Sequence, residues 1–385
     1  ADYWIQLTKS IEDNLSGRLH EELTKSFIDK KISILARGLK QDINLETEVS
    51  KEHKVLIDKQ YIGELKGLKF IIDFTSKNLD ADLKSIKKAA RKGIEKELIK
   101  RANIIINEKN LSISSDNKII WQNNPIAKIK KGENYLAPDI EIIADDALPL
   151  DEKKELEKCL RIWMSLYINE VLGDLINLTK KKIENQYLRA LAYQLYENNG
   201  ILKRKNVKEI VGLILKEERK KLWSMGIKIG RYHVFVPKML KPKAVMLRTM
   251  LWKIYNDISA NLSVPKFGLN FVVNENFNER FLLLCGFERF KNYFVRVDIL
   301  EKLFINIIGS TVNKKFEISP GMMNLLGCTK ENFFELMDLM DYKKLKGSGN
   351  YYFFQNNQKN KEKIKVALNK NKTNPFSKLL ELNIK

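Results

Sequence analysis

Two stretches of this chain echo one another. Lys54-Val-Leu-Ile-Asp-Lys-Gln-Tyr-Ile-Gly-Glu-Leu-Lys66 lies without gaps on Lys118-Ile-Ile-Trp-Gln-Asn-Asn-Pro-Ile-Ala-Lys-Ile-Lys130, an offset of 64 residues. Each reads as two short strands joined by a tight polar turn. Another strand candidate precedes each (residues 45–49 and 111–114), and a further apolar one follows (69–73 and 139–144). A long amphipathic helix closes each segment, over 79–105 and 151–172. A small sheet has an apolar face to cover, so two copies of a sheet-plus-helix unit are expected. Chance similarity over 13 positions is the other reading.

At 385 residues the chain has room for about two or three domains. The expected class is α+β, mostly α. Residues 1–42 read as a long helix, with Trp4, Leu7, Ile11, Leu15, Leu19, Leu23 and Phe27 on one face. Such a stripe has to pack against something. Residues 43–173 hold the two repeats. Residues 174–261 form a helical bundle, broken at Asn198-Asn-Gly200, with a strand Tyr232–Val236 ended by Pro237. A helix 238–260 follows, with Pro242 in its first turn and Met246, Met250, Leu251 and Ile254 as its apolar face. Residues 262–356 contain three short helices. Asp298 is expected to cap the first (299–308), Ser319-Pro320 to start the second (321–326), and Thr329 to open the third (333–340). A hairpin of Tyr342–Lys346 and Tyr351–Gln355 turns at Gly347-Ser-Gly349. That is the outline of a winged helix, a frame used for nucleic acids and for protein contacts alike. Residues 357–385 read as a basic linker and terminal peptide.

Charge narrows the class of partner. Lys plus Arg number 69 and Asp plus Glu 48, a net +21. A lysine-rich composition alone produces such an excess, so its distribution decides. From Arg219 to Asn256, 38 residues contain ten Lys or Arg and no acid. Trp223, Tyr232, Phe235, Trp252 and Tyr255 are interleaved with them. Cations for phosphates and aromatic faces for bases together suit a single strand. The candidate binding residues are Lys228, Arg231, His233, Lys238, Lys241, Lys243, Arg248 and Trp252. For His233, a packed strand histidine is an equal reading.

No catalytic residue is expected. The chain has no Gly-rich phosphate loop ending in Gly-Lys-Ser/Thr, and no acid/base pair stands out among its scattered carboxylates. His20, His53 and His233 are far apart and lack metal-ligand spacing from Cys159, Cys285 or Cys328. Three isolated cysteines fit a reducing compartment, so a cytoplasmic location is expected. No apolar run approaches the ~20 residues of a membrane span, and no membrane partner is expected.

Several stretches resemble one family, the region that follows the two motor domains in alphaproteobacterial DExH-type ATP-dependent helicases related to the mitochondrial degradosome RNA helicase. They are Ile11–Ser16 with Leu19-His-Glu21, Leu23-Thr24 and Phe27–Lys31, Tyr61–Leu65, and Trp121–Ile129. The most specific runs from Gly226 to Ala244 and on to Leu247-Arg248 and Leu251-Trp252. Phe316–Cys328 and Pro375-Phe376 complete the set, in order over nearly the whole chain. The resemblance implies a nucleic-acid-guiding accessory region that contacts single-stranded RNA or DNA. ATP and magnesium would be cofactors only of motor domains, whose motifs this chain lacks. Motor domains, in cis or lost by truncation, and a nuclease are the protein partners implied. The alternatives are a free-standing winged-helix regulator of duplex DNA and a scaffold that recruits a nuclease. The first is disfavoured because its reading helix would carry Glu331, Glu335 and Asp338.

Overall fold

The structure is a computed structural model, and it describes residues 6–20, 22–23, 47–50, 52–57, 59–72, 80–108, 110–180, 183–258, 262–273, 278–313, 315–345 and 351–354. The chain is mixed α+β, rich in helix, with small antiparallel sheets. Among the described residues, no helix is long and apolar enough to cross a membrane. Two compact units divide the chain: residues 1–171 with 250–259, and residues 172–249 with 260–385. The expected boundary at 261/262 therefore falls within the second unit. The terminal segment 357–385 lies outside the described residues, as do 24–42 of the first helix.

In the first unit, α1 spans residues 6–20. Its stripe of Leu7, Ile11, Leu15 and Leu19, continued by Leu23, is 39% to 62% exposed. Strands β1 (Thr47–Val49), β2 (Lys54–Ile57), β3 (Gln60–Lys66) and β4 (Lys69–Ile72) pair in sequence order and lead into α2 (Asp80–Glu108). Strands β5 (Ser112–Ile113), β6 (Lys118–Trp121), β7 (Asn124–Asn134) and β8 (Ala137–Ile142) do the same before α3 (Leu150–Lys180).

The two meanders share a register. Val49 faces Val55 as Ile113 faces Ile119, and Lys54 faces Glu64 as Lys118 faces Lys128. A bulge falls between Val55 and Leu56 in one and between Ile119 and Ile120 in the other. His53 and Asn117 both take left-handed φ, and their carbonyls accept the amides of Leu65 and Ile129 at 2.8 Å. Gln122 and Asn123 have φ of 46° and 62°, the two-residue turn whose twist matches its flanking strands. The last hairpin differs: Gly63 faces Ile72, whereas its counterpart Ala127 faces Ile142, beyond the position that the 64-residue offset would give.

Buried polar contacts tie α2 to the first sheet. Arg101 donates to the carbonyls of Leu65 (2.9 Å) and Gly67 (2.8 Å) and lies 2.7 Å from His53 Nδ1. On α3, Leu156, Leu160, Met164, Ile168, Leu172 and Leu175 are buried at near-helical spacing. Leu172, where the sequence-predicted helix stops, is a kink (φ −110°, ψ 15°), and the helix continues to Lys180.

The second unit starts at that kink. Asn185 caps α4 (Gln186–Glu197), its side chain accepting the amides of Tyr187 and Leu188. Next come β9 (Ile201–Lys203), α5 (Lys208–Leu213), α6 (Lys216–Ser224), β10 (Lys228–Ile229), β11 (His233–Phe235) and α7 (Pro242–Tyr255). The sheet order is β10-β11-β9. The buried face of α7 is Ala244, Val245, Leu247, Arg248, Leu251 and Trp252; of the expected face Leu251 is buried, Met250 and Ile254 are half-buried, and Met246 points outward at 55% exposure.

Then follow β12 (Phe271–Val273), α8 (Glu279–Leu284), β13 (Phe287–Phe290), β14 (Tyr293–Arg296), α9 (Val297–Ser310), β15 (Lys315–Glu317), α10 (Pro320–Leu326), α11 (Lys330–Leu339), β16 (Tyr342–Lys344) and β17 (Tyr351–Phe354). They form sheets ordered β12-β14-β13 and β15-β17-β16. Val295, Leu300, Leu303, Ile307, Phe316, Met322, Phe333, Leu336 and Tyr342 build one apolar core between them. Arg296, not Asp298, stands at the N-cap position of α9, with no side-chain capping bond, and Asp298 lies in the first turn, where it accepts from the Arg296 guanidinium at 2.6–2.7 Å. Thr329 caps α11 as expected, its side chain accepting the Asn332 amide; Ser319 stands at the N-cap position of α10, ahead of Pro320, but its side chain makes no capping bond. The hairpin tip at 346–350 and Gln355 lie outside the described residues.

Candidate nucleic-acid interface

The Gly226–Ala244 run builds β10, a turn, β11, a short 3-10 helix and the start of α7, and the structure sorts its cations into two kinds. Arg231, Lys238, Lys241 and Lys243 are exposed and Lys228 is half-buried. Lys228 Nζ stands 5.9 Å from the centre of the Phe235 ring, its cross-strand neighbour, and Arg231 stands 5.5 Å over Phe304. Lys238 pairs with Asp174 at 2.9 Å. An exposed pair of that kind is worth only about 0–1 kcal/mol, so a phosphate can compete for the lysine.

Arg248 and His233 belong to the interior. Arg248 has no exposed surface, and its guanidinium donates to the carbonyls of Asn199, Met239 (2.5 Å) and Leu284 (3.0 Å). It is the clamp that closes α7 onto three chain segments, not a phosphate ligand. Trp252 is likewise buried, at 8% exposure. A packed histidine is the reading that holds for His233, which is 1% exposed. Its Nε2 lies 2.9 Å from Glu288, and its Nδ1 lies 3.8 Å from Glu301.

Carboxylates from distant segments thus enter a stretch that carries none of its own. Glu301 of α9 is 2% exposed and accepts the backbone amides of Arg231 (2.5 Å), Tyr232 (2.8 Å) and His233 (2.9 Å). Gly230 makes this possible, since a Cβ there would collide with the Glu301 carboxylate. Burial alone would raise the Glu301 pKa, but His233 and the three amides hold it below the usual carboxylate range. Glu288 is depressed in the same way, against burial, by His233 and Lys203. Burial opposes the His233 imidazolium, yet the two glutamates raise its pKa above the ordinary value. The network extends to Lys203, whose Nζ lies 2.9 Å from Glu288 and 3.0 Å from Glu279. Because each charge is paired, removing one member would leave another buried and alone.

Arg204 also belongs to this region. Its amide donates to Tyr232 O at 2.7 Å and its Nη1 to Gly230 O at 2.8 Å, which places it beside Arg231. It follows β9, outside the acid-free stretch, so charge distribution along the chain does not reveal it.

The exposed face of α11 carries Glu331, Glu335 and Asp338, an acidic surface that would repel a duplex. Among the described residues, no group of three or more His, Cys, Asp or Glu is placed to hold a metal. Cys285 is buried, and Cys159 and Cys328 are half-buried free thiols. Comparison of the chain with models of protein families, with curated proteins and with solved structures gives no match.

Proposed function

We propose that this chain is a nucleic-acid-guiding accessory region of an ATP-dependent superfamily-two helicase, holding single-stranded RNA or DNA on the cations around β10 and the start of α7. The observation that carries the reading is the exposed set Arg231, Lys238, Lys241 and Lys243, with the half-buried Lys228, about a turn whose neighbouring acid, Glu301, is spent on backbone amides. A strand's phosphates then meet cations rather than carboxylates. Arg248, His233 and Trp252 are buried and leave the contact set.

Three further features support the same reading. The exposed stripe of α1 suits a helix covered by a motor domain, the partner in which ATP and magnesium would be bound. The shared register of the two meanders favours a duplicated sheet-plus-helix unit. The order β15-β17-β16 with α9, α10 and α11 suits a winged helix, and the acids on α11 favour a supporting role for it over duplex reading. Titration of the full chain with a labelled single-stranded RNA and a duplex DNA of equal length tests the proposal. Tighter binding of the single strand is expected; equal affinity for both, or none for either, would overturn it.

A further inference from the structure

The two meanders share a register but not a charge pattern, and the difference falls on matched positions. The 64-residue offset sets Glu52, Lys54, Glu64 and Lys66 of the first against Asp116, Lys118, Lys128 and Lys130 of the second. In the first set two lysines balance two glutamates. Lys54 pairs with Glu52 at 2.6 Å and Lys66 with Glu64 at 3.5 Å, and Lys54 faces Glu64 across β2 and β3.

In the second set one acid remains, and Asp116 accepts the Ser115 hydroxyl at 3.3 Å instead. Lys118 of β6 directly faces Lys128 of β7. Residues so opposed hold their Cβ atoms about 5 Å apart, and like charges there destabilise the sheet. The carboxylates that reach this face come from β8 and are taken by other cations. Glu141 faces Lys128 but accepts from Lys130 at 2.8 Å, and Asp139 is paired with Arg161 of α3. Among the described residues, neither Lys118 nor Lys128 has an ion-pair partner.

Two ammoniums on facing strands offer three donors each, a match for a compact anion with several acceptor oxygens, as phosphate is. Lys128 is exposed and Lys118 half-buried, so both heads stay within reach of such an ion. Lys130 stands two residues on, exposed on the same side of β7, in a surface pair that the next phosphate of an extended strand can displace. Among the described residues of β5 to β8, no large apolar side chain is exposed, so nothing on this face would enter a bilayer.

We propose that Lys118 and Lys128 together hold one backbone phosphate of a bound single strand on the outer face of the second meander, a site that the first meander lacks. This rests on the strand-binding reading above and gives the first unit a strand contact of its own.

The test titrates a short uridine oligonucleotide into the full chain and into the Lys118→Glu, Lys128→Gln and Lys54→Gln variants over a range of salt, and records the thermal unfolding of each. Lys118→Glu rebuilds an opposed pair of unlike charge, as in the first meander, so its melting temperature is expected at or above that of wild type. Its slope of log K against log salt is expected to fall by about 0.7, the share of one single-strand phosphate. Lys128→Gln should lower the slope by up to ~0.7. Lys54→Gln should leave it unchanged, because Glu52 and Glu64 flank that lysine. If wild type binds and both second-meander variants keep its slope, the site is overturned and the wider reading stands. An equal loss in Lys54→Gln would overturn it too, since total charge rather than this pair would then be at work. A lower melting temperature for Lys118→Glu would remove the repulsion on which the site is built. If the wild-type chain does not bind the strand, the site and the wider reading both fall. Variants that lose affinity for phosphatidylserine vesicles and keep the oligonucleotide slope would assign the pair to lipid headgroups and overturn the proposal.

Discussion

Replacing Glu301 with glutamine changes one oxygen of a buried carboxylate to an amide nitrogen and little else. In the native turn Oε1 accepts the amides of Tyr232 and His233, and Oε2 accepts that of Arg231. A glutamine can keep its carbonyl at the first position, but its NH2 then faces the Arg231 amide, donor against donor. One buried N–H left unpaired costs about 1–3 kcal/mol. The two retained bonds lose their charge assistance, which roughly halves each. His233 also loses one of its two acidic neighbours. The sum is on the order of 3 kcal/mol. Amide hydrogen exchange at Arg231, Tyr232 and His233 reads that loss locally, free of the complication that two units need not unfold together. Exchange about 100-fold faster at these three amides is expected, at 1.4 kcal/mol per tenfold. Exchange within about threefold of wild type would refute the claim that this carboxylate organises the turn.

Two other perturbations probe the interior. Arg248→Lys keeps a charge but loses the fork that serves three carbonyls, so thermal stability should fall by about 2–3 kcal/mol while the salt dependence of strand binding is unchanged. A flattened salt slope with unchanged stability would instead put that guanidinium on the surface. The His233 pKa is raised above its ordinary value of 6.5, so its contribution is complete below 6.5 and lost as pH rises through the folded value. Glu288 and Glu301 are depressed below their ordinary value of 4.5, so theirs is present above 4.5 and lost as pH falls through the folded values. The second unit should therefore be most stable between about pH 4.5 and 6.5, and His233→Asn should flatten the decline above that window in urea denaturation. An equal decline in the variant would show that the imidazole is not its source.

What is legible in the sequence follows from how local each cause is. Strand alternation around Lys54–Lys66 and Lys118–Lys130 gives hairpins where the structure has them, because a strand's faces are set by residues two apart. The helix starts at Ser319-Pro320 and Thr329 are readable for the same reason. Asp298 misleads because the helix already begins at Val297, which leaves Asp298 in the first turn, paired with Arg296. The acid-free stretch is a property of the chain and not of space: Glu301 and Glu288 arrive from elements far along the sequence. Arg248 does carry a local signal. It lies on the same helical stripe as Ala244, Leu251 and Trp252, where a surface cation does not belong. Arg204 has no such signal, because only the pairing of β9 with β11 brings it to Arg231.

The most direct measurement compares the full chain with a variant carrying glutamine at Lys228, Arg231, Lys238, Lys241 and Lys243, each titrated with single-stranded RNA across a range of salt. Wild type should show a steep fall of log K with log salt, and the variant a slope shallower by about 0.7 for each phosphate it no longer neutralises. Identical slopes in the two proteins would contradict the claim that these cations carry the strand.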